Sequence, residues 1–178
     1  MTAPAAPAKP APGEVLLAHL RDHLDQELAV HRQLLAMAED KRRAVLAGDG
    51  RTLSDLVARE EAPLAEAGRL RQVRDRLLRT AAAMWNLAPA ALNLGTLADR
   101  ASQALAAELR RRAHELRGVL ERLKAANDRN QVLIRQGLAV VRDLVGALTG
   151  APAAGAYDRR GLNPWAPAPG GSLLDCRG

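Results

Sequence analysis

The amino-acid sequence predicts an all-α protein, in which three long antiparallel helices form an elongated coiled-coil-like bundle with disordered tails at both ends. Apolar residues recur at helical spacing along most of the 178 residues, and valine, isoleucine and threonine never cluster in the alternating runs typical of strands. The chain lacks phenylalanine and contains two tryptophans and one tyrosine. A composition rich in alanine, leucine and valine suits slender helices better than a thick globular core.

The first helix is expected at residues 14–47, after a disordered leader at residues 1–13. Proline and alanine alternate in that leader, and proline prevents a regular helix. Gly48 and Gly50 follow the helix, and glycine readily takes the left-handed conformation that closes a helical C-terminus. The apolar stripe of the first helix consists of Leu17, Leu20, Leu24, Leu28, His31, Leu34, Leu35, Ala38 and Val45.

The second helix is expected at residues 52–85, where Thr52 and Asp55 resemble a capping box at its start. Pro63 lies inside this helix and removes one backbone donor, so a kink is expected about one turn earlier. The apolar stripe of the second helix consists of Leu53, Leu56, Leu64, Leu70, Leu77, Leu78, Met84 and Trp85.

A loop is predicted at residues 86–95, because Pro89 and Gly95 interrupt the helical pattern. Three of its leucines are expected to cover one end of the bundle. They are Leu87, Leu92 and Leu94. Thr96 and Asp99 then resemble a cap for a third helix at residues 97–149.

The third helix carries a heptad repeat, in which the seam positions alternate at steps of four and three residues. The seam consists of Leu116, Leu120, Leu123, Asn127, Asn130, Ile134, Gly137, Val141, Leu144 and Leu148. Its two asparagines predict a polar layer that fixes the register, because a buried amide must be hydrogen-bonded. The third helix would be about 80 Å long and the other two about 50 Å each. Part of the seam therefore lacks an intramolecular partner, which indicates a binding or dimerisation surface.

Glycine, proline and alanine dominate residues 150–178, which are predicted to form a flexible tail. Five larger side chains are spaced along this tail as candidate anchors. They are Tyr157, Leu162, Trp165, Leu173 and Leu174. Anchors on a flexible segment favour a tail that folds when a partner binds, and a plain disordered end is the alternative.

The net charge of +6 and the isoelectric point near 10.6 permit contact with nucleic acid or an anionic membrane. Acidic residues are nevertheless interleaved with the basic ones along every predicted helix, so solvated faces with ion pairs explain the charge better. No uncharged apolar stretch approaches the roughly 18 residues that span a bilayer. Together with the single Cys176, which fits a reducing compartment, this predicts a soluble cytoplasmic protein.

The sequence offers little for catalysis or metal binding. His19, His23, Glu27 and His31 lie at successive steps of four residues, and a histidine pair at this spacing can bind zinc. His31 also belongs to the apolar stripe, where a hydrogen-bonded core histidine is common. No set of nucleophile, base and charge stabiliser is in a plausible arrangement. We therefore expect no enzymatic activity, no cofactor and no metal.

Three short motifs occur in order along the predicted helices. A turn is followed by L-x-x-L, which begins at Leu53 in the second helix. N-x-x-N followed by L-I begins at Asn127 in the last helix, and Y-D-x-x-G begins at Tyr157 after that helix. In this order and spacing, over residues 14–165, the chain resembles the FlgN family of flagellar export chaperones.

The resemblance implies a type III export chaperone of the cytoplasm. Such a chaperone binds the hook-associated proteins that join the hook to the flagellar filament, and keeps their coiled-coil-forming ends unpaired. It then hands these clients to components of the export gate, so that its contact with the membrane apparatus is transient and nucleic acid is not a partner. The client-binding surface is expected on the second half of the third helix and the tail. Its expected residues are Leu123, Asn127, Asn130, Ile134, Val141, Leu144, Leu148, Tyr157, Asp158 and Gly161.

Two other classes of function stay open at this point. A structural coiled-coil or oligomerisation protein would use the same heptad seam, and would form a homo-oligomer. A basic helical protein that coats nucleic acid is less consistent with the mixed charges and with the lack of an aromatic stacking platform.

Overall fold

The computed structural model of the chain describes residues 11–88 and 92–149, and each regular element in these ranges is a helix. Helix α1 spans Pro12–Ala47, α2 spans Gly50–Trp85, α3 spans Leu94–Ala98 and α4 spans Gln103–Thr149. The predicted all-α class is confirmed for the described residues, with three long helices and one short one. The predicted tail and the first ten residues of the predicted leader lie outside the described residues.

The chain divides into two compact units, residues 1–134 and residues 135–178. The first unit contains α1, α2, α3 and the greater part of α4. The described residues of the second unit, 135–149, are the remainder of α4. None of the helices within the described ranges is long and apolar enough to cross a membrane.

Helix α1 begins at Pro12, two residues before the predicted start. Proline suits the first turn of a helix, because its missing N–H would have no helical partner there. The helix ends at Ala47, where Gly48 adopts a left-handed φ of 68° and donates its N–H to the Val45 carbonyl at 3.2 Å. Most of the predicted apolar stripe is buried. Its buried members are Leu17, Leu20, Leu24, Leu28, Leu34 and Ala38.

The N-terminus of α2 is capped by Asp49. The Asp49 carboxylate accepts hydrogen bonds from the backbone N–H of Thr52 at 2.9 Å and from its hydroxyl at 2.6 Å. The predicted capping box of Thr52 with Asp55 is therefore wrong, because α2 begins at Gly50 and Thr52 is its third residue. Helix α2 continues through Pro63, which is buried, as far as Trp85.

The single predicted helix from residue 97 onwards is replaced by α3 and α4. Asn93 starts α3 by accepting a hydrogen bond from the Thr96 N–H at 2.9 Å, in a capping box with that residue. The backbone N–H groups of residues 100 and 101 then bond to carbonyls three residues earlier, each at 3.1 Å. These shorter-range bonds end α3 before α4 begins, which explains the difference from the prediction.

The hydrophobic core of the first unit is built mainly from leucines of α1 and α4. Its buried members are Leu17, Leu20, Leu24, Leu28, Ala81, Leu97, Ala98, Leu105, Ala106, Leu109, Leu116 and Val119. Leu87, Leu92 and Leu94 pack against this cluster, which confirms the predicted packing of the loop leucines on the helices. Arg100 lies 5.7 Å from the centroid of the Trp85 ring, as a cation–π contact.

Polar contacts join α1 to α2 and α1 to α4 within the first unit. The contacts between α1 and α2 include Glu27–Arg74 at 2.5 Å and Lys41–Glu60 at 2.6 Å. The contacts between α1 and α4 include Asp25–Arg112 at 2.7 Å and Ala38–Asn130 at 2.7 Å. The N-terminal half of α1 thus contacts the C-terminal half of α2, and its C-terminal half contacts the N-terminal half of α2. Along α4, the contacted residue numbers increase in the same direction as along α1. Coiled-coil packing of these helices stays a prediction.

Candidate partner-binding surface

The buried face of α4 follows a heptad repeat over residues 116–133. Its buried and half-buried members are Leu116, Val119, Leu123, Ala126, Asn130 and Leu133. The predicted seam shares Leu116, Leu123 and Asn130 with this buried face. Between residues 116 and 134, its other members lie one residue further along the helix. Those members are Leu120, Asn127 and Ile134, and all three are exposed. Apolar residues lie both three and four residues after Leu116, and again after Asn130. Heptad spacing alone therefore does not decide which of the two stripes faces the core.

The polar layer predicted from two asparagines is reduced to one buried amide. Asn127 is exposed, whereas Asn130 is 6% exposed and donates from Nδ2 to the Ala38 carbonyl at 2.7 Å. The Oδ1 atom of Asn130 has no hydrogen-bond partner within the described residues. The prediction of two buried seam asparagines is therefore wrong. Asn130 instead links α4 to α1, inside the first unit.

The described part of the second unit has an exposed apolar face on α4, which we name the distal face. Its residues and their exposed fractions are Leu138 (59%), Val141 (58%), Leu144 (59%), Val145 (51%) and Leu148 (79%). At about 100° per residue, these five side chains fall within an arc of about 120° on the helix. A contiguous exposed face of aliphatic side chains is typical of a surface that binds another protein.

The distal face contains three of the residues predicted to bind a client, and it includes two that the prediction missed. Val141, Leu144 and Leu148 belong to both sets. Leu138 and Val145 were missed, although they lie three residues before and four residues after Val141, a spacing that could have identified them.

The remaining predicted client-binding residues lie elsewhere. Leu123 is half-buried and Asn130 is buried in the first unit, while Asn127 and Ile134 are exposed there. Tyr157, Asp158 and Gly161 lie outside the described residues. Binding of a partner by any of these residues stays a prediction.

The histidine stripe of α1 makes hydrogen bonds within the first unit. Nε2 of His23 lies 2.9 Å from the Leu70 carbonyl and 3.2 Å from Oε1 of Glu27. Both partners are acceptors of hydrogen bonds, so Nε2 carries the proton. Glu27 is 1% exposed and accepts a second hydrogen bond from Arg74 at 2.5 Å. Nδ1 of His31 donates to the Glu27 carbonyl at 2.7 Å.

This hydrogen bonding gives the buried members of the stripe a structural role. Within residues 11–88 and 92–149, no group of three or more His, Cys, Asp or Glu side chains is placed to hold a metal ion. The expectation that the protein needs no metal stays a prediction, since the remaining residues lie outside the part of the chain that the structure describes.

Comparison with known proteins connects this arrangement with one protein family. The family model described as FlgN protein matches residues 16–164 of the chain. Among curated proteins and among solved structures, nothing matches. The matched range includes nearly all of α1, the whole of α2, α3 and α4, and therefore the distal face.

Proposed function

Because the chain belongs to the FlgN family of flagellar export chaperones, we propose that it binds hook-associated flagellar proteins through the distal face. In this role it acts in the cytoplasm, keeps the coiled-coil-forming ends of its clients unpaired and delivers them to components of the export gate. Binding of this kind requires no catalysis, cofactor or metal. The observation that carries the proposal is the exposed apolar distal face of α4.

An amphipathic helix is the client element that fits the distal face. Leu138, Val141, Val145 and Leu148 repeat at steps of three and four residues, which is the spacing at which a second helix interlocks its side chains. A client end that forms coiled coils carries apolar residues at the same spacing. Such a helix would cover the distal face in the helix-in-groove mode of peptide recognition.

The small size of the distal face is compatible with release of the client. Full burial of one leucine or valine side chain contributes about 1.5–3 kcal/mol, and part of this is offset by the entropy lost on association. Gly137 and Gly146 add no apolar side chain beside the five aliphatic ones. The predicted client-binding role of Asn130 is not part of the proposal, because this side chain bonds to Ala38 of α1.

The proposal is tested by removing apolar area from the distal face. Leu144→Ser combined with Leu148→Ser should weaken binding to purified terminal segments of hook-associated proteins about a hundredfold, measured by isothermal titration calorimetry. A matched control is Leu46→Ser combined with Leu64→Ser, because these leucines are also exposed, at 62% and 53%, but lie in the first unit. Equal affinities of the two double variants would contradict the proposed surface.

A homo-oligomer is the competing use of the same face. Sedimentation velocity separates the two functions, since a chaperone of this kind should sediment as a single chain alone and as a heterocomplex after a client segment is added. Self-association of the free chain that is abolished by Leu144→Ser with Leu148→Ser would favour the coiled-coil oligomer instead.

A further inference from the structure

Two arginines lie beside one edge of the distal face. Arg142 and Arg135 are about 40° and 60° beyond Leu138 around the axis of α4, on the side away from Leu144. Both arginines are exposed. They are seven residues apart in sequence, which corresponds to about 10.5 Å along the helix. The edge of the distal face at Leu138 therefore has a positive charge at each of two successive heptads.

Neither arginine has an acidic residue three or four positions away on α4. These are the positions at which side chains on one face of an α-helix form ion pairs. Arg135 has Gln131, Val132, Leu138 and Ala139 at these positions. Arg142 has Leu138, Ala139, Val145 and Gly146. Asp143 directly follows Arg142 in sequence, but no ion pair joins these two side chains within the described residues.

The two arginines also differ in their surroundings from Arg111 and Arg112 of α4. In the first unit, Arg112 pairs with Asp25 of α1 at 2.7 Å and with Glu108 at 3.4 Å, and Arg111 pairs with Glu115 at 3.7 Å. Across the part of the chain that the structure describes, Arg135 and Arg142 form no ion pair. They remain available to a partner that covers the distal face.

We propose that the client helix on the distal face carries two acidic side chains, seven residues apart, on the flank that meets Arg135 and Arg142. This inference rests on the proposed function and specifies the chemistry of the client. Charged residues beside an apolar seam form interhelical ion pairs that determine partner choice and orientation. Two pairs fix the register of the client helix, because a slip of one heptad leaves one arginine without its carboxylate.

Pairing of the distal faces of two copies of this chain does not supply the required acidic flank. The described residues of the second unit contain one acidic side chain, Asp143. Asp143 lies about 140° from Leu138 around the helix axis, about 80° beyond Arg135, on the side of α4 that faces away from the distal face. Pairing the distal faces of two copies would therefore leave these arginines without a carboxylate.

Nucleic acid fits this edge less well than an acidic helix does. Phosphate contacts to Arg135 and Arg142 would leave the five aliphatic side chains of the distal face in water. An amphipathic helix with an acidic flank covers the apolar face and pairs with both arginines at the same time. The charge pairs would contribute chiefly to register and association rate, since exposed ion pairs add little to affinity one by one.

The test reverses the two charges in the full chain. Arg135→Glu combined with Arg142→Glu should weaken binding to purified terminal segments of hook-associated proteins about tenfold at low ionic strength, because two attractive pairs become repulsive. The difference from the unmodified chain should shrink at about 0.5 M salt, where charge interactions are screened. The matched control is Arg59→Glu with Arg76→Glu, two exposed arginines of α2, which produces the same change in net charge.

The outcomes separate this inference from the function on which it rests. If the unmodified chain and the control bind a client and the reversed variant binds it equally well, the acidic flank is refuted while the proposed function stands. If the unmodified chain binds no hook-associated segment, both are refuted. A client variant in which two carboxylates seven residues apart are changed to lysine can be measured with the reversed variant of this chain. Recovery of binding in that combination would establish the pairing.

Discussion

Asn130 is buried, as the polar layer predicted, but its amide bonds to α1. Its Nδ2 atom donates to the Ala38 carbonyl, but its Oδ1 atom is buried without a hydrogen-bond partner among the described residues. A buried acceptor without a partner costs about 1–3 kcal/mol, whereas a typical intramolecular hydrogen bond contributes about 1 kcal/mol. The amide therefore positions α4 against α1 at little or no gain in stability.

This balance gives opposite predictions for two substitutions at the same position. Asn130→Asp should lower the free energy of unfolding at pH 7 by about 2 kcal/mol, because a carboxylate would face the Ala38 carbonyl in a buried site. Asn130→Leu should raise it by about 1 kcal/mol, since it removes the unsatisfied acceptor.

Chemical denaturation measures both changes, with Asn127→Asp as the control. Asn127 is exposed three residues away, so its substitution should shift the unfolding free energy by less than about 0.5 kcal/mol. If Asn130→Leu were as destabilising as Asn130→Asp, the amide would have to be a fully satisfied structural group.

At the scale of helices, the sequence predicts the three long helices, but it predicts the residues at which they begin and end less completely. Apolar spacing identifies most of the buried stripe of α1, and Gly48 identifies its C-terminus because its left-handed φ closes the helix. The short helix α3 is not predicted, because its capping box depends on Asn93, three residues before Thr96, whereas the sequence pattern indicates Thr96 itself as the cap.

The candidate surface was predictable in its location and only partly in its residues. The seam on α4 has apolar residues on two adjacent stripes, and the stripe that is buried in the first unit is the one that contains Val119 and Ala126. A one-dimensional heptad count cannot make that selection, because it contains no information on which neighbouring helix lies closer. Arg135 and Arg142 were not singled out for the same reason. Their significance depends on which edge of α4 they occupy.

The cap of α2 gives a prediction that depends on pH. The hydroxyl and the backbone N–H of Thr52 donate to the Asp49 carboxylate and hold its pKa below the ordinary range. A carboxyl whose pKa is lowered by folding stabilises the folded state above the unfolded pKa, and this contribution is lost as the pH falls through the folded pKa. Asp49→Ala should therefore lower the melting temperature by about 2–4 °C at pH 7.

The control for this cap is Asp55→Ala, which removes the carboxylate that the predicted capping box pairs with Thr52. Asp55 is exposed, and its removal should leave the melting temperature nearly unchanged. The difference between the unmodified chain and Asp49→Ala should shrink as the pH falls into the acid range, followed by circular dichroism. A difference that is constant with pH would mean that the carboxylate charge has no part in the cap.

At the scale of the whole molecule, many of the charges pair across the helices of the first unit. The cross-helix pairs are Arg21–Glu108, Arg32–Glu115, Lys41–Glu60, Arg74–Glu27 and Arg112–Asp25. The exposed pairs among them contribute little to stability individually, whereas Lys41–Glu60 is half-buried and Glu27 is buried. All five place opposite charges between neighbouring helices, which is the arrangement expected from the interleaved sequence. The net charge of +6 is therefore no strong indication of nucleic-acid binding.

The last prediction concerns the contribution of residues 150–178 to client binding. All four described helices end by Thr149, so removal of these residues should leave the ellipticity at 222 nm per molecule nearly unchanged. The predicted anchors Tyr157 and Trp165 are removed at the same time, and aromatic anchors commonly contribute most of the energy of an interface. We therefore expect the affinity for hook-associated segments to fall about tenfold.

Two variants control for this deletion. Removal of residues 1–10 shortens the opposite end of the chain and should leave client affinity unchanged. Trp165→Ala in the full chain should reproduce part of the loss without shortening the chain, if the aromatic side chain is an anchor. If the chain without residues 150–178 binds clients as tightly as the whole chain, the tail is not part of the site. The distal face of α4 would then have to hold the client without it.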